Sequence, residues 1–260
     1  MNCYIQTDYV SPGMLEFVEK NEDIKGVVLG DYTCNRRMFS GGYAELIKSV
    51  DRYKCINKEI IIQTPMYATS RNIDEMMDGI VYLDAEYHVK KYLVQDVGVL
   101  TTISEIIPDA ELIWSQMGRA RGNIFNMYSV QFLQERGLTG MEVGSKTRLK
   151  LLKEHGMKAY ASYGNIVYKS VSRNCYNQYF SNDAVCRTAC RDHTECITTK
   201  NNKEISVDGF FLDKVYHYDD SQEYWDSVYE NCENVIIHAE NLGKALEKYN
   251  SYKEIKVTYE

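Results

Sequence analysis

Eight cysteines stand in this chain of 260 residues, and the spacing of four of them is the first feature that could do chemistry. Cys175, Cys186 and Cys190 form a C-x10-C-x3-C run, and Cys196 follows on the same polar stretch. Thiolates gathered in so short a segment can wrap a soft metal without deforming a helix or a strand. Zinc commonly uses paired C-x2-4-C knuckles, and only Cys186 with Cys190 resembles one. An iron–sulfur cluster accepts irregular spacing and often draws a ligand from far along the chain. Three readings therefore stand side by side: a cluster, zinc, or unrelated buried thiols.

Arginines crowd the same segments. Arg36 and Arg37 follow Cys34, Arg173 precedes Cys175, and Arg187 and Arg191 follow the next two thiols. Guanidinium groups beside a thiolate centre would offset its negative charge and raise its potential. They would equally grip an anionic substrate in bidentate fashion, or remain solvated loop charge. Asp96 ends an apolar run, where it either orients a substrate or caps the next helix. Other motifs fail on their own terms. GMEVGSKT (140–147) lacks the Gly that a phosphate loop needs directly before its Lys. His193-x-Glu195-Cys196 starts like a zinc deaminase signature, but no P-C-x-x-C follows. No G-x-S-x-G elbow and no H-E-x-x-H is present, so protease machinery has no motif behind it.

These residues need a scaffold, and the hydrophobic pattern supplies one. Short apolar, β-branched runs predict strands near 3–7, 25–30, 59–64, 92–96, 111–115, 140–144, 157–162 and 234–239. Helical spacing predicts helices over 14–20, 44–53, 99–107, 125–135, 146–154 and 242–249; Asn72 with Glu75 reads as a capping box opening one more. Gly137 and Gly156 stand where helix C-terminal caps belong. Such alternation favours parallel strands joined by crossover helices. The leading architecture is an α/β, (β/α) TIM-barrel-like single domain over 1–260, complete or incomplete, with a doubly wound sheet second. Residues 165–232 break the pattern as an irregular, cysteine-bearing insertion, within which GFFLDKVYHYDD (209–220) reads as an extra strand on the barrel's rim.

The barrel also sorts the thiols. Cys34 lies just past the C-terminal end of one strand, and the loop carrying Cys175 follows another strand at the same end, the face on which barrel enzymes build sites. Cys3 and Cys232 fall at the opposite rim, and Cys55 closes an apolar helix and reads as core.

Composition narrows the class. Hydrophobic residues at 44% allow a sizeable core, and a net charge of −7 argues against nucleic acid as a partner. The N-terminus has no signal-peptide pattern and no stretch is apolar enough to span a membrane, so a cytoplasmic, reducing compartment is expected, where cysteines more often bind metal than pair. Twenty-two tyrosines suit a partner-binding surface, although source-organism bias explains them as well.

The segment GDYTCNRR after GVVLG, the run KSVSRNCYNQY followed by CRTAC, and the strand-plus-helix YLVQDVGVLTTISEIIPDAELIWSQMG together resemble peptidase family U32, and within it the UbiV-like iron–sulfur proteins. The similarity runs in order from Met1 to about Arg191. It implies a 4Fe-4S cluster on Cys34, Cys175, Cys186 and Cys190, with Cys196 in reserve and zinc as the alternative. It also implies a barrel-like fold, a part in oxygen-independent hydroxylation of a small biosynthetic substrate, and a second protein of the same family as heterodimer partner. Arg36, Arg37, Asp96 and Arg173 are the candidate substrate-binding residues. A peptidase or peptide-modifying enzyme, and a non-catalytic subunit stabilised by its cluster, are the competing functions.

Overall fold

A computed structural model describes residues 1–7, 12–30, 43–65, 73–115, 126–171, 196–200, 203–208, 211–217, 221–239 and 241–259; between 165 and 217 the description is of the backbone. Eight strands close a barrel in the order β1-β12-β7-β6-β5-β4-β3-β2, every neighbouring pair parallel. They are β1 (Asn2–Thr7), β2 (Ile24–Leu29), β3 (Glu59–Gln63), β4 (Lys91–Val94), β5 (Glu111–Trp114), β6 (Leu138–Val143), β7 (Lys158–Tyr163) and β12 (Asn234–His238). All eight lie where the apolar runs predict them, and the barrel is complete.

The helices that carry the chain back between strands are α1 (Pro12–Lys20), α2 (Tyr43–Cys55), α3 (Ile73–Tyr87), α4 (Val97–Ile106), α5 (Met127–Gln134), α6 (Lys146–Glu154), α7 (Gln222–Asn231) and α8 (Leu242–Val257). Each buries one stripe, such as Leu46, Val50 and Tyr53 on α2, against the outer face of the strands. Gly137 and Gly156, at φ +92° and +67°, take the left-handed conformation that ends α5 and α6, as their positions predict. Two expectations fail. Cys55 is exposed, because it sits off the Leu46–Val50–Tyr53 stripe. Helix α8 also runs eight residues beyond Tyr249, because buried Tyr252 and half-buried Ile255 continue its inner face through a polar stretch.

The break in alternation is itself structured. Strands β8 (Asn165–Val171), β9 (Cys196–Lys200), β10 (Lys203–Asp208) and β11 (Phe211–His217) form a separate antiparallel sheet in the order β8-β11-β10-β9. The strand expected within 209–220 is therefore β11, and it belongs to this sheet rather than to the barrel's rim. Strands β9 and β10 escape a reading for apolar runs because they are short and mostly polar, as CITTK and KEISVD. Helix α7 then opens at Ser221, whose side chain accepts from the Tyr224 N–H, and leads back into β12.

Candidate active site at the barrel mouth

Side chains alternate along a strand, so every second residue of the barrel points inward. The innermost apolar layer is Tyr4, Val28, Ile61, Leu93, Ile113, Tyr160 and Ile236, a cluster separate from the outer core. Two residues back along β3, β4, β5 and β7, toward the strand N-termini, stand Glu59, Lys91, Glu111 and Lys158. Lys91 pairs with Glu59 at 2.8 Å, Lys158 with Glu111 at 3.0 Å, and Lys25 with Glu59 at 3.1 Å. The Tyr4 hydroxyl donates to Glu59 at 3.0 Å. Burial pushes the carboxyls of Glu59 and Glu111 up, but these partners hold both below the usual carboxylate range. An apolar layer resting on a charged ring makes the lower lumen a packed core, as barrels of this kind require.

Two residues forward, at the C-terminal mouth, the inward layer changes character: Gln6, Gln63, Gln95, Ser115, Glu142, Ser162 and His238, all buried. A hydrogen-bonded chain crosses the mouth. The Ser115 hydroxyl donates to Glu142 Oε2 at 2.8 Å. Glu142 Oε1 meets His238 Nε2, which also lies 2.9 Å from the Ser162 hydroxyl. His238 Nδ1 faces Gln6 Oε1, and Gln6 Nε2 donates to Gln63 Oε1. Glu142 and His238 are each about 1% exposed, so the pair is held away from water and is an ion pair when His238 is protonated. Burial alone would push the Glu142 carboxyl up; the charge of His238 and hydrogen bonds from His238, Ser115 and Ser162 hold it below its ordinary value of 4.5.

Outside the barrel wall, two contacts fix the ends of β7 and β12. The Tyr224 hydroxyl of α7 donates to the Ser162 carbonyl at 3.0 Å, and Lys248 Nζ of α8 donates to the His238 carbonyl. Gly164, at φ +72°, lies against the Lys248 stem with no room for a Cβ. The base of the His238 side chain is thus anchored from behind the strand.

The chemistry this allows is proton transfer. His238 Nδ1 faces the Gln6 amide oxygen, and Nε2 faces both the Glu142 carboxylate and the Ser162 hydroxyl, so a proton on Nε2 sits directly against the carboxylate. A serine-nucleophile triad is a poor description, because it needs the hydroxyl on one ring nitrogen and the carboxylate on the other. Here Ser162 and Glu142 share Nε2, and Nδ1 is taken by Gln6.

Of the residues singled out from sequence, Asp96 is described: its carboxylate accepts from the Val99 N–H at 3.1 Å and caps α4. Cys34, Arg36, Arg37, Arg173, Cys175, Cys186 and Cys190 lie outside the described residues, as do Arg119, Arg121, Arg187, Arg191, His193 and Glu195. Their anchor points are described. Residue 31 follows Gly30 at the C-terminal end of β2. The segment 172–195 does not spring from the end of β7, as expected, because β8 intervenes. Cys196 pairs with Val207, Val207 with Leu212, and Leu212 with Ser170, so both ends of that segment meet the inserted sheet at the same end of its strands, on its two outer strands β8 and β9. That end lies six residue steps from Asn165, roughly 20 Å along the strand.

Among the described residues no group of three His, Cys, Asp or Glu side chains is arranged to hold a metal. Cys3, Cys55 and Cys232 are free thiols; burial pushes Cys232 up to about 12, which makes it unreactive.

Glu142 and His238 carry no motif, and a reading by motif passes over them. Their signal is positional: seven of the eight apolar strand runs end, on their inward register, in Gln, Ser, Glu or His.

The sequence matches the profile of peptidase family U32 over residues 15–233. No curated protein matches it. Among solved structures, the U32 peptidase Mk0906 is similar with a TM-score of 0.55 at 13% identity, over 93% of this chain and 94% of that one. AsbF from Bacillus anthracis, involved in petrobactin synthesis, is similar with a TM-score of 0.53 at 11% identity, over 99% of this chain and 98% of that one. At these identities the likenesses speak to the barrel fold. The profile match spans most of the chain, and the protein belongs to peptidase family U32.

Proposed function

We propose that this U32 protein is an enzyme whose reaction takes place in the polar barrel mouth, with the Glu142–His238 pair moving the proton and an iron–sulfur cluster on Cys34, Cys175, Cys186 and Cys190 serving as electron carrier. The single observation that carries the reading is the buried, hydrogen-bonded contact of the Glu142 carboxyl with the His238 ring. A charged pair shielded from water costs several kcal/mol of desolvation per ion. A fold that needed only packing would place an apolar residue there, as it does two residues below on β12. Strongly perturbed, desolvated carboxylates at the C-terminal face of a barrel are where catalytic groups are found.

The donor set suits a cluster. Four thiols from two segments match four-cysteine ligation, and five arginines beside them would balance its charge. Strand β8 carries the second segment's anchor about a barrel's width from β7, and β2, which leads to Cys34, lies three strands from β7 around the barrel. A cluster leaning over the mouth is compatible with both anchors. With every iron held by cysteine, the cluster would supply one-electron transfer and leave binding and proton movement to the protein.

The reaction class that joins these parts is oxygen-independent hydroxylation of a small biosynthetic intermediate: C–H becomes C–OH, a two-electron oxidation, and an oxygen-donor co-substrate, bound with help from Arg36, Arg37 and Arg173, gives up its oxygen and takes up those two electrons by way of the cluster. A second family member as heterodimer partner belongs to the same reading. Peptide hydrolysis is the weaker alternative, because the Ser162–His238–Glu142 arrangement is not a nucleophilic one.

Metal analysis of anaerobically isolated protein tests this reading. It predicts about four irons per chain, by the four-cysteine logic, with broad visible absorption. Cys34→Ala should lose the iron and Cys55→Ala should keep it. Stoichiometric zinc without iron would overturn the cluster.

A further inference from the structure

Three amide atoms in the mouth are left over from the hydrogen-bonded chain. Gln63 Nε2 and both Gln95 Nε2 and Gln95 Oε1 are buried and have no hydrogen-bonding partner among the described residues. The two side chains are 0% and 5% exposed. Gln63 ends β3 two positions after the lumen residue Ile61, and Gln95 stands one residue past the end of the neighbouring strand β4, two positions after the lumen residue Leu93. Gln63 cannot turn away, because its Oε1 already accepts from Gln6. Leaving a buried donor or acceptor unmade costs about 1–3 kcal/mol, so folding alone does not account for three in one place.

We propose that Gln63 and Gln95 form a recognition site for a carboxamide-type edge, a carbonyl oxygen with an N–H beside it, on the ligand that enters the mouth. This rests on the mouth being the reaction site, and it names the group by which a substrate is held there. The bond count selects the class. A carboxamide oxygen takes the N–H groups of Gln63 and Gln95, and its own N–H donates to Gln95 Oε1, so all three orphan atoms are satisfied. A carboxylate satisfies the two donors but sets an acceptor against Gln95 Oε1. An ammonium group satisfies that oxygen and leaves both donors empty. Sites built to bond an NH or OH reject the analogue lacking it strongly, because their own polar groups are then unpaired.

The test uses the full chain, isolated anaerobically and labelled with side-chain 15N-glutamine, titrated with propionamide and with the isosteric propionate. The expected result is a saturable shift of the Gln95 and Gln63 amide signals with propionamide and a shift at least tenfold weaker with propionate. Gln95→Leu removes two orphan atoms, so the free protein should melt a few degrees higher. The same variant should lose the preference for propionamide. Equal or tighter binding of propionate, or no saturable shift with propionamide, overturns the inference. So does a Gln95→Leu protein that melts lower and still prefers the amide. Absence of the amide preference in a protein that still loads iron removes this inference alone. Intact turnover in Glu142→Gln alongside a retained amide preference would instead remove the proton-transfer reading.

Discussion

At the scale of single residues, the balance at Glu142 is the most informative quantity in the molecule. Two opposing effects act on one carboxyl: burial, which favours the neutral acid, and His238, which favours the anion. His238 wins because it is within hydrogen-bonding distance and Ser115 and Ser162 add donors to the same group. Removing His238 should reverse the outcome. In His238→Leu, burial acts with little opposition, and the Glu142 carboxyl should titrate above 4.5 instead of below it. A side-chain 13C titration measures this directly, and an unchanged value would mean that the ion pair is not what holds the carboxylate. The cost should be large, about 3–5 kcal/mol in denaturant melts, because one partner of a buried pair is left behind.

At the scale of elements, the strands prove more legible than the segments between them. Most barrel strands announce themselves as runs of Val, Ile, Leu and aromatic residues, because a parallel strand is covered on both faces, while β6 (LTGMEV) and β7 (KAYASY) rely on Met, Ala and Tyr. Strands β9 and β10 of the inserted sheet show no such run, since CITTK and KEISVD are mostly polar over only five and six positions. The candidate site splits along the same line. Cysteines are legible because their type is rare and chemically narrow. Glu142 and His238 are not, because an isolated Glu or His means nothing until the barrel's register places seven strand ends in one ring. Asp96 illustrates the element's claim on a residue. Its carboxylate caps α4 through the Val99 N–H, so Asp96→Ala should cost about 1 kcal/mol of stability while Asp96→Asn, an equally good cap, should cost little. Urea melts of the two variants separate a capping role from a purely electrostatic one, in which both would behave alike.

For the whole molecule, the barrel keeps its two ends for different purposes. The N-terminal end is sealed by Lys25, Glu59, Lys91, Glu111 and Lys158 beneath Tyr4 and Tyr160. The C-terminal end carries the polar layer, capped on its outer side by Tyr224 and Lys248. No described helix is long and apolar enough to cross a membrane. The buried carboxylates of both ends share a pH signature. Glu59, Glu111 and Glu142 all have folded-state values below 4.5, so the folded state binds fewer protons than the unfolded chain in that range. Their stabilisation is complete above about pH 4.5 and is lost as pH falls through the depressed folded-state values. Thermal melts should therefore show a falling limb below that pH, and Glu59→Gln with Glu111→Gln should flatten it while lowering stability at neutral pH. A limb unchanged by the double substitution would assign the acid sensitivity elsewhere.

The reaction itself offers the most direct test of the central claim, that proton transfer by Glu142 in the barrel mouth and electron transfer by the thiolate cluster act together. Anaerobic cell extract, as the source of substrate and oxygen-donor co-substrate, can be incubated with the wild-type protein, with Glu142→Gln, or with Cys34→Ala, each with the proposed second family member, and compared by untargeted mass spectrometry. The expected result is a small-molecule product heavier than its precursor by the mass of one oxygen atom with the wild-type protein, and its loss with either variant although Glu142→Gln still holds its iron. The same product made by Glu142→Gln at the wild-type rate would contradict it.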